Sequence, residues 1–87
     1  MLVIVSVSRL DSERVEVRVA RPQSDSIRMR EYQSEKEARA VLLGFGISQE
    51  TMDFHLKLLP QLNANEPLVF SPIDIPQLQL LLSGFRL

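Results

Sequence analysis

At 87 residues with 45% hydrophobic and 24% charged content, the chain fits one globular domain over 1–87, because two would each be too small to bury a core. Ten basic against eleven acidic residues leave a net charge of −1, so no overall field draws nucleic acid, an anionic membrane or an acidic substrate. Zero Cys excludes disulfides, thiolate metal sites and cysteine nucleophiles.

The apolar start Leu2-Val3-Ile4-Val5 is broken by Ser6, Ser8 and Arg9 and lacks the basic region and cleavage site of a signal peptide. It reads as a strand. No apolar run approaches the ~20 residues of a membrane span, so a soluble, cytoplasmic protein with no membrane contact is expected. Val3, Val5 and Val7, then Val15, Val17 and Val19, alternate with other residues at a period of two, which predicts two half-buried strands joined by a polar hairpin loop over 9–13. Pairing Val7 with Val15, Val5 with Val17 and Val3 with Val19 makes one face a Val ladder.

Arg21 to Ser26 is a turn by its Pro, Ser and Asp content, and a third strand follows over 27–32. In it Ile27 and Met29 are expected to join the Val face, with Arg28 and Arg30 on the other side near Arg18 and Glu16. The three strands form an antiparallel meander.

Ser34-Glu35-Lys36-Glu37 has the spacing of a capping box and opens a helix whose stripe is Ala38, Val41, Leu42 and Phe45, with Gly44 as the left-handed stop. Ser48 caps a second helix reaching about Leu59 before Pro60. Met52, His55, Leu56, Leu59 and Leu62 share one side of it, widened by Phe54 and Leu58. Leu68-Val69-Phe70 is a short strand that joins the sheet at an edge the sequence does not choose. Asp74, with Gln77 three residues on and Pro76 in the first turn, starts a last helix with the stripe Ile75, Leu78, Leu81, Leu82 and Phe85. The fold expected is α+β in the order β-β-β-α-α-β-α, a mainly antiparallel sheet with helices on its Val face. Caps Ser34 and Asp74, and the endings Gly44-Phe45 and Gly84-Phe85, line up at an offset of 40, which raises the question of an internal repeat.

His55 is the one side chain with an ordinary pKa near neutrality, and its place in the apolar arc predicts a buried, hydrogen-bonded core histidine. No second His and no Cys accompany it, and no Ser lies in a G-x-S-x-G elbow. Gly44-Phe45-Gly46 lacks the remaining letters of a phosphate loop. No catalytic, cofactor or metal site is therefore expected.

The stretch Gly46-Ile47-Ser48, with Thr51, Met52, His55 and Leu56 at helical spacing, resembles the turn and recognition helix of LuxR-type helix-turn-helix regulators. That resemblance implies a nucleic-acid-binding regulator acting through 38–59. It departs from the family in a turn about two residues longer and in Gln49, Glu50 and Asp53 where basic residues face phosphate.

Two further features point to a surface. Arg18, Arg28 and Arg30, with Arg14, are expected to converge on the sheet face away from the helices, within a half, 1–33, whose six Arg against five acids give +1. Leu2, Ile4, Leu80 and Leu87 fall outside every expected core stripe. Arg18, Arg28, Arg30, Leu2, Ile4 and Leu80 thus form the expected interaction surface. The function read from the sequence is a non-catalytic domain that binds another protein or a second copy of itself.

Overall fold

Alternating valines and a tight polar loop make β1 (Leu2–Arg9) and β2 (Val15–Ala20) an antiparallel hairpin. The structure, a computed structural model, describes residues 1–23 and 27–85. The expected turn residues Ser24, Asp25 and Ser26 and the off-stripe Leu87 lie outside the described residues. All six valines of the hairpin face one side and are buried. The parity is the one the alternation fixes, and among the registers that parity allows the fold takes Val7 with Val17 and Val5 with Val19, two residues from a Val7–Val15 pairing. The loop sets this register. Asp11 accepts from the amides of Glu13 at 2.9 Å and Arg14 at 2.7 Å, and the Leu10 amide donates to the Arg14 carbonyl at 2.9 Å.

β3 (Ile27–Tyr32) pairs antiparallel with β2, completing the meander, but with the opposite facing to that expected. Tyr32 lies opposite Val15 and is buried, so Arg30 and Arg28 share its side, opposite Val17 and Val19. Ile27 and Met29 consequently point away from the helices. Residues 27, 29 and 32 cannot all face inward, and the large ring beside the start of the first helix takes the core position.

α1 (Glu35–Gly44) begins at Ser34, whose hydroxyl accepts from the Glu37 amide, while the Glu37 carboxylate reaches back to the Gln33 amide at 3.1 Å. Its left-handed stop is Gly46 at φ 95°, not Gly44. The Gly46 amide donates to Leu43 and the Ile47 amide to Leu42, and Ile47 is buried. α2 (Gln49–Leu56) starts at Ser48, which accepts from the Thr51 amide at 3.1 Å, and a 3₁₀ turn over Leu59–Gln61 follows with Pro60 inside it. Arg39 of α1 donates to Asp53 of α2 at 2.7 Å.

β4 (Pro67–Val69) and the two-residue β5 (Ile73–Asp74) both pair antiparallel with β1, so the sheet order is β3-β2-β1-β4, with β5 on β1 beyond β4. Asp74 therefore sits in a strand, and α3 (Gln77–Leu82) has Pro76 at its N-cap without a side-chain cap. The fold is the expected α+β arrangement in the order β-β-β-α-α-β-α, with β5 as a short addition after β4.

α3 is turned relative to the expected stripe. Leu80 is buried at 1% exposure, whereas Leu82 is 80% exposed and Leu78 and Leu81 also face solvent. The cause is Gly84, whose φ of 90° ends the helical progression, so the Phe85 amide donates back to Leu80 instead of extending the Leu81–Leu82 stripe. Phe85 then packs edge-on against Phe45 at 5.7 Å, joining the ends of α1 and α3. By hydrogen bonding the matching positions are Leu42 with Leu80, Gly46 with Gly84 and Ile47 with Phe85, an offset of 38. The correspondence at 40 pairs buried Leu42 with exposed Leu82 and is not kept by the fold.

Candidate functional site

The helices and the loops beside them cover the Val side of the sheet, and the opposite side carries exposed apolar residues, although Ser8 on it is fully buried. Strand pairing builds it row by row. Ile4, Ala20 and Ile27 form one row across β1, β2 and β3. Val69, Ser6, Arg18 and Met29 form the next, and Pro67, Ser8, Glu16 and Glu31 the one after. Leu2 stands at the end beside Asp74. Leu2, Ile27, Met29 and Val69 are 53, 47, 54 and 56% exposed, and Ile4 and Ala20 are half-buried between them. Contiguous apolar surface of this kind is uncommon on a monomer unless it binds something.

Charge on this face is engaged in ion pairs within the chain: beside Leu2, Asp74 meets the Met1 ammonium at 2.6 Å. Arg18 Nε lies 2.7 Å from Glu16 Oε1, and Arg14 reaches Glu31 at 2.7 Å and Asp11 at 2.6 Å. Asp11 titrates at about 2, held low first by the Arg14 and Glu13 amides and then by the Arg14 guanidinium. The Arg14 guanidinium is correspondingly pushed up by hydrogen bonds to Asp11 and Glu31.

The structure therefore brings together Leu2, Ile4 and Arg18 of the expected surface and separates the other three. Leu80 is in the core. Arg28 and Arg30 are on the helix side of β3, so the expected convergence of Arg18, Arg28 and Arg30 does not form. Arg30 instead lies over the Tyr32 ring at 5.5 Å and donates to the Ser83 carbonyl at 3.3 Å, at the negative end of α3. The Tyr32 phenol, buried there, is pushed up because burial disfavours phenolate. Sequence reasoning missed Ile27, Met29 and Val69 as surface residues. The available signal was the parity conflict between Ile27 and Tyr32 in one six-residue strand.

His55 is half-buried, not buried as expected. Its Nδ1 meets the Thr51 carbonyl at 2.8 Å, and because a carbonyl only accepts, Nδ1 carries the proton and Nε2 is the free nitrogen. The ring packs against Phe54 at 5.4 Å and Phe70 at 5.1 Å and lines a shallow groove of about 320 Å³ with Ser48, Thr51 and Ser71. Among the described residues no carboxylate lines this groove, and the Ser48 hydroxyl is engaged with Thr51. α2 presents Gln49, Glu50 and Phe54 to solvent, while Asp53 is held by Arg39.

Among the described residues no helix is long and apolar enough to cross a membrane, and no group of three or more His, Asp or Glu side chains is placed to hold a metal ion. Comparison with protein-family models, with curated proteins and with solved structures returns no match for this chain.

Proposed function

We propose that this chain is a non-catalytic protein-interaction domain that docks through the helix-free face of its sheet. One observation carries the reading: Leu2, Ile4, Ala20, Ile27, Met29 and Val69 are aligned across the strands on a face that no helix covers. One fully apolar row, Ile4-Ala20-Ile27, with Leu2, Val69 and Met29 in the rows beside it, gives on rigid strands the flat and pre-organised surface that protein interfaces use at their centres. The exposed stripe of Leu78, Leu81 and Leu82 is smaller and stands on a helix of only six residues. Cytoplasmic residence belongs to the same proposal and rests on the absence of Cys.

A photo-crosslinking side chain in place of Met29, with a control in place of the exposed Lys36 of α1, tests this in cells producing the protein. The reading expects adducts of discrete mass from position 29 and none of the same mass from position 36. Equal patterns from both positions, or no adduct from 29, would overturn it.

A further inference from the structure

We infer that the occupant of the open sheet face is a second copy of this chain, packed sheet against sheet about a two-fold axis that runs along the strands between β1 and β2. This rests on the reading of that face as a docking surface and names its partner. The support is that the face complements itself. A two-fold axis in that position sets each β1 residue over the β2 residue of its own row in the other copy, and each β3 residue over its β4 counterpart. Ile4 then meets Ala20, Met29 meets Val69, Arg18 meets Ser6 and Glu31 meets Pro67. At every one of these positions a large side chain faces a smaller one, the pattern that lets two sheets about 10 Å apart interdigitate.

Electrostatics agree with the same arrangement. Each charged group on the face enters already paired within its own chain, Arg18 with Glu16, Arg14 with Glu31 and Asp74 with the Met1 ammonium, so the second copy meets no unpaired charge. The two Arg18 side chains come side by side, each carrying its own Glu16. Four strands about 4.8 Å apart and at most some six residues long present a face of roughly 14 × 20 Å, so two copies cover about 560 Å² of flat area in total. That is below the size of a standard stable interface and implies a weak, reversible dimer that forms only at high concentration.

The decisive experiment uses the wide separation of Met29 and Val69 within one chain. They lie on opposite edges of the four-strand order, three strand spacings or about 14 Å apart, too far for direct contact. Sedimentation equilibrium is measured on the wild type, Met29→Lys, Val69→Glu and the double variant, with far-UV circular dichroism confirming that all four are folded. The wild type should dimerise, each single variant should weaken association at least about tenfold, and the double variant should recover to within about threefold, since the opposite charges then meet across the interface. A double variant as weak as the singles would overturn the arrangement. A wild type that stays monomeric throughout would overturn self-association, while discrete crosslinks from position 29 to a different protein would leave the docking face itself standing.

Discussion

Asp11 turns the chain between β1 and β2 by accepting two backbone amides and the Arg14 guanidinium, and its depressed pKa records that work. A group whose folded pKa lies below its unfolded value stabilises the fold above the unfolded value. That contribution is lost as pH falls from about 3.8 through about 2. NMR titration of the side-chain carboxyl should therefore give a midpoint near 2, and Asp11→Ala should lose less thermal stability between pH 4 and pH 2 than the wild type loses. A midpoint near the ordinary 3.8 would contradict the turn geometry. The glycines give a second residue-scale prediction. Gly46→Ala meets no neighbouring atom and so isolates the cost of a left-handed backbone, about 1 kcal/mol of destabilisation. Gly44→Ala puts a methyl at ordinary contact distance, 3.7 Å from Gln79 Nε2, inside a helix, and should stabilise by about 0.5–1 kcal/mol. Denaturant melts with opposite signs for the pair place the helix stop at Gly46. A destabilised Gly44 variant beside a neutral Gly46 variant would place it at Gly44. Gly84→Ala should cost about as much as Gly46→Ala, since both glycines are left-handed, and should also displace the Arg30 guanidinium.

Elements were legible where one local signal acted alone. The Val alternation gives the inward face of β1 and β2, and Ser34 and Ser48 give the starts of α1 and α2, because each pattern has no competitor within its own segment. β3 and α3 were misread where two signals compete. In β3 the apolar Ile27 and Met29 claim one parity and Tyr32 the other, and only contact with the helix layer decides between them. In α3 a stripe drawn at 100° per residue treats Phe85 as helical, but Gly84 has already reversed the backbone and brought Phe85 back to Leu80. Leu80→Ala should accordingly cost about 2–5 kcal/mol by denaturant unfolding, and Leu82→Ala no more than about 0.5. A reversed ranking would restore the stripe read from the sequence. The candidate site turns on the same parity: the alternation of β1 and β2 puts Leu2, Ile4 and Arg18 on the open face, while the facing of β3, set by Tyr32, brings Ile27 and Met29 there and takes Arg28 and Arg30 to the other side.

The molecule as a whole resolves its near-neutral charge into two differently finished sides. The helix side carries the core and holds Arg30 over Tyr32 and against the end of α3, whereas the open side combines exposed apolar residues with charges paired within the chain. The edges of the sheet are guarded. β3 points Arg28 and Arg30 to the helix side, and β4 is three residues long with a proline, both devices that discourage strand-to-strand extension. Such edges leave the open face, rather than a strand edge, for the pairing proposed above. A single copy has a radius of gyration of 12.0 Å, the value expected of a compact chain of this length, and a face-to-face pair should approach about 16 Å. Small-angle X-ray scattering of the wild type over a rising concentration series tests the central claim most directly: the radius should climb from near 12.0 Å toward about 16 Å with a doubling of forward-scattering mass, and a radius fixed at 12.0 Å with a constant mass of 9.9 kDa would contradict it.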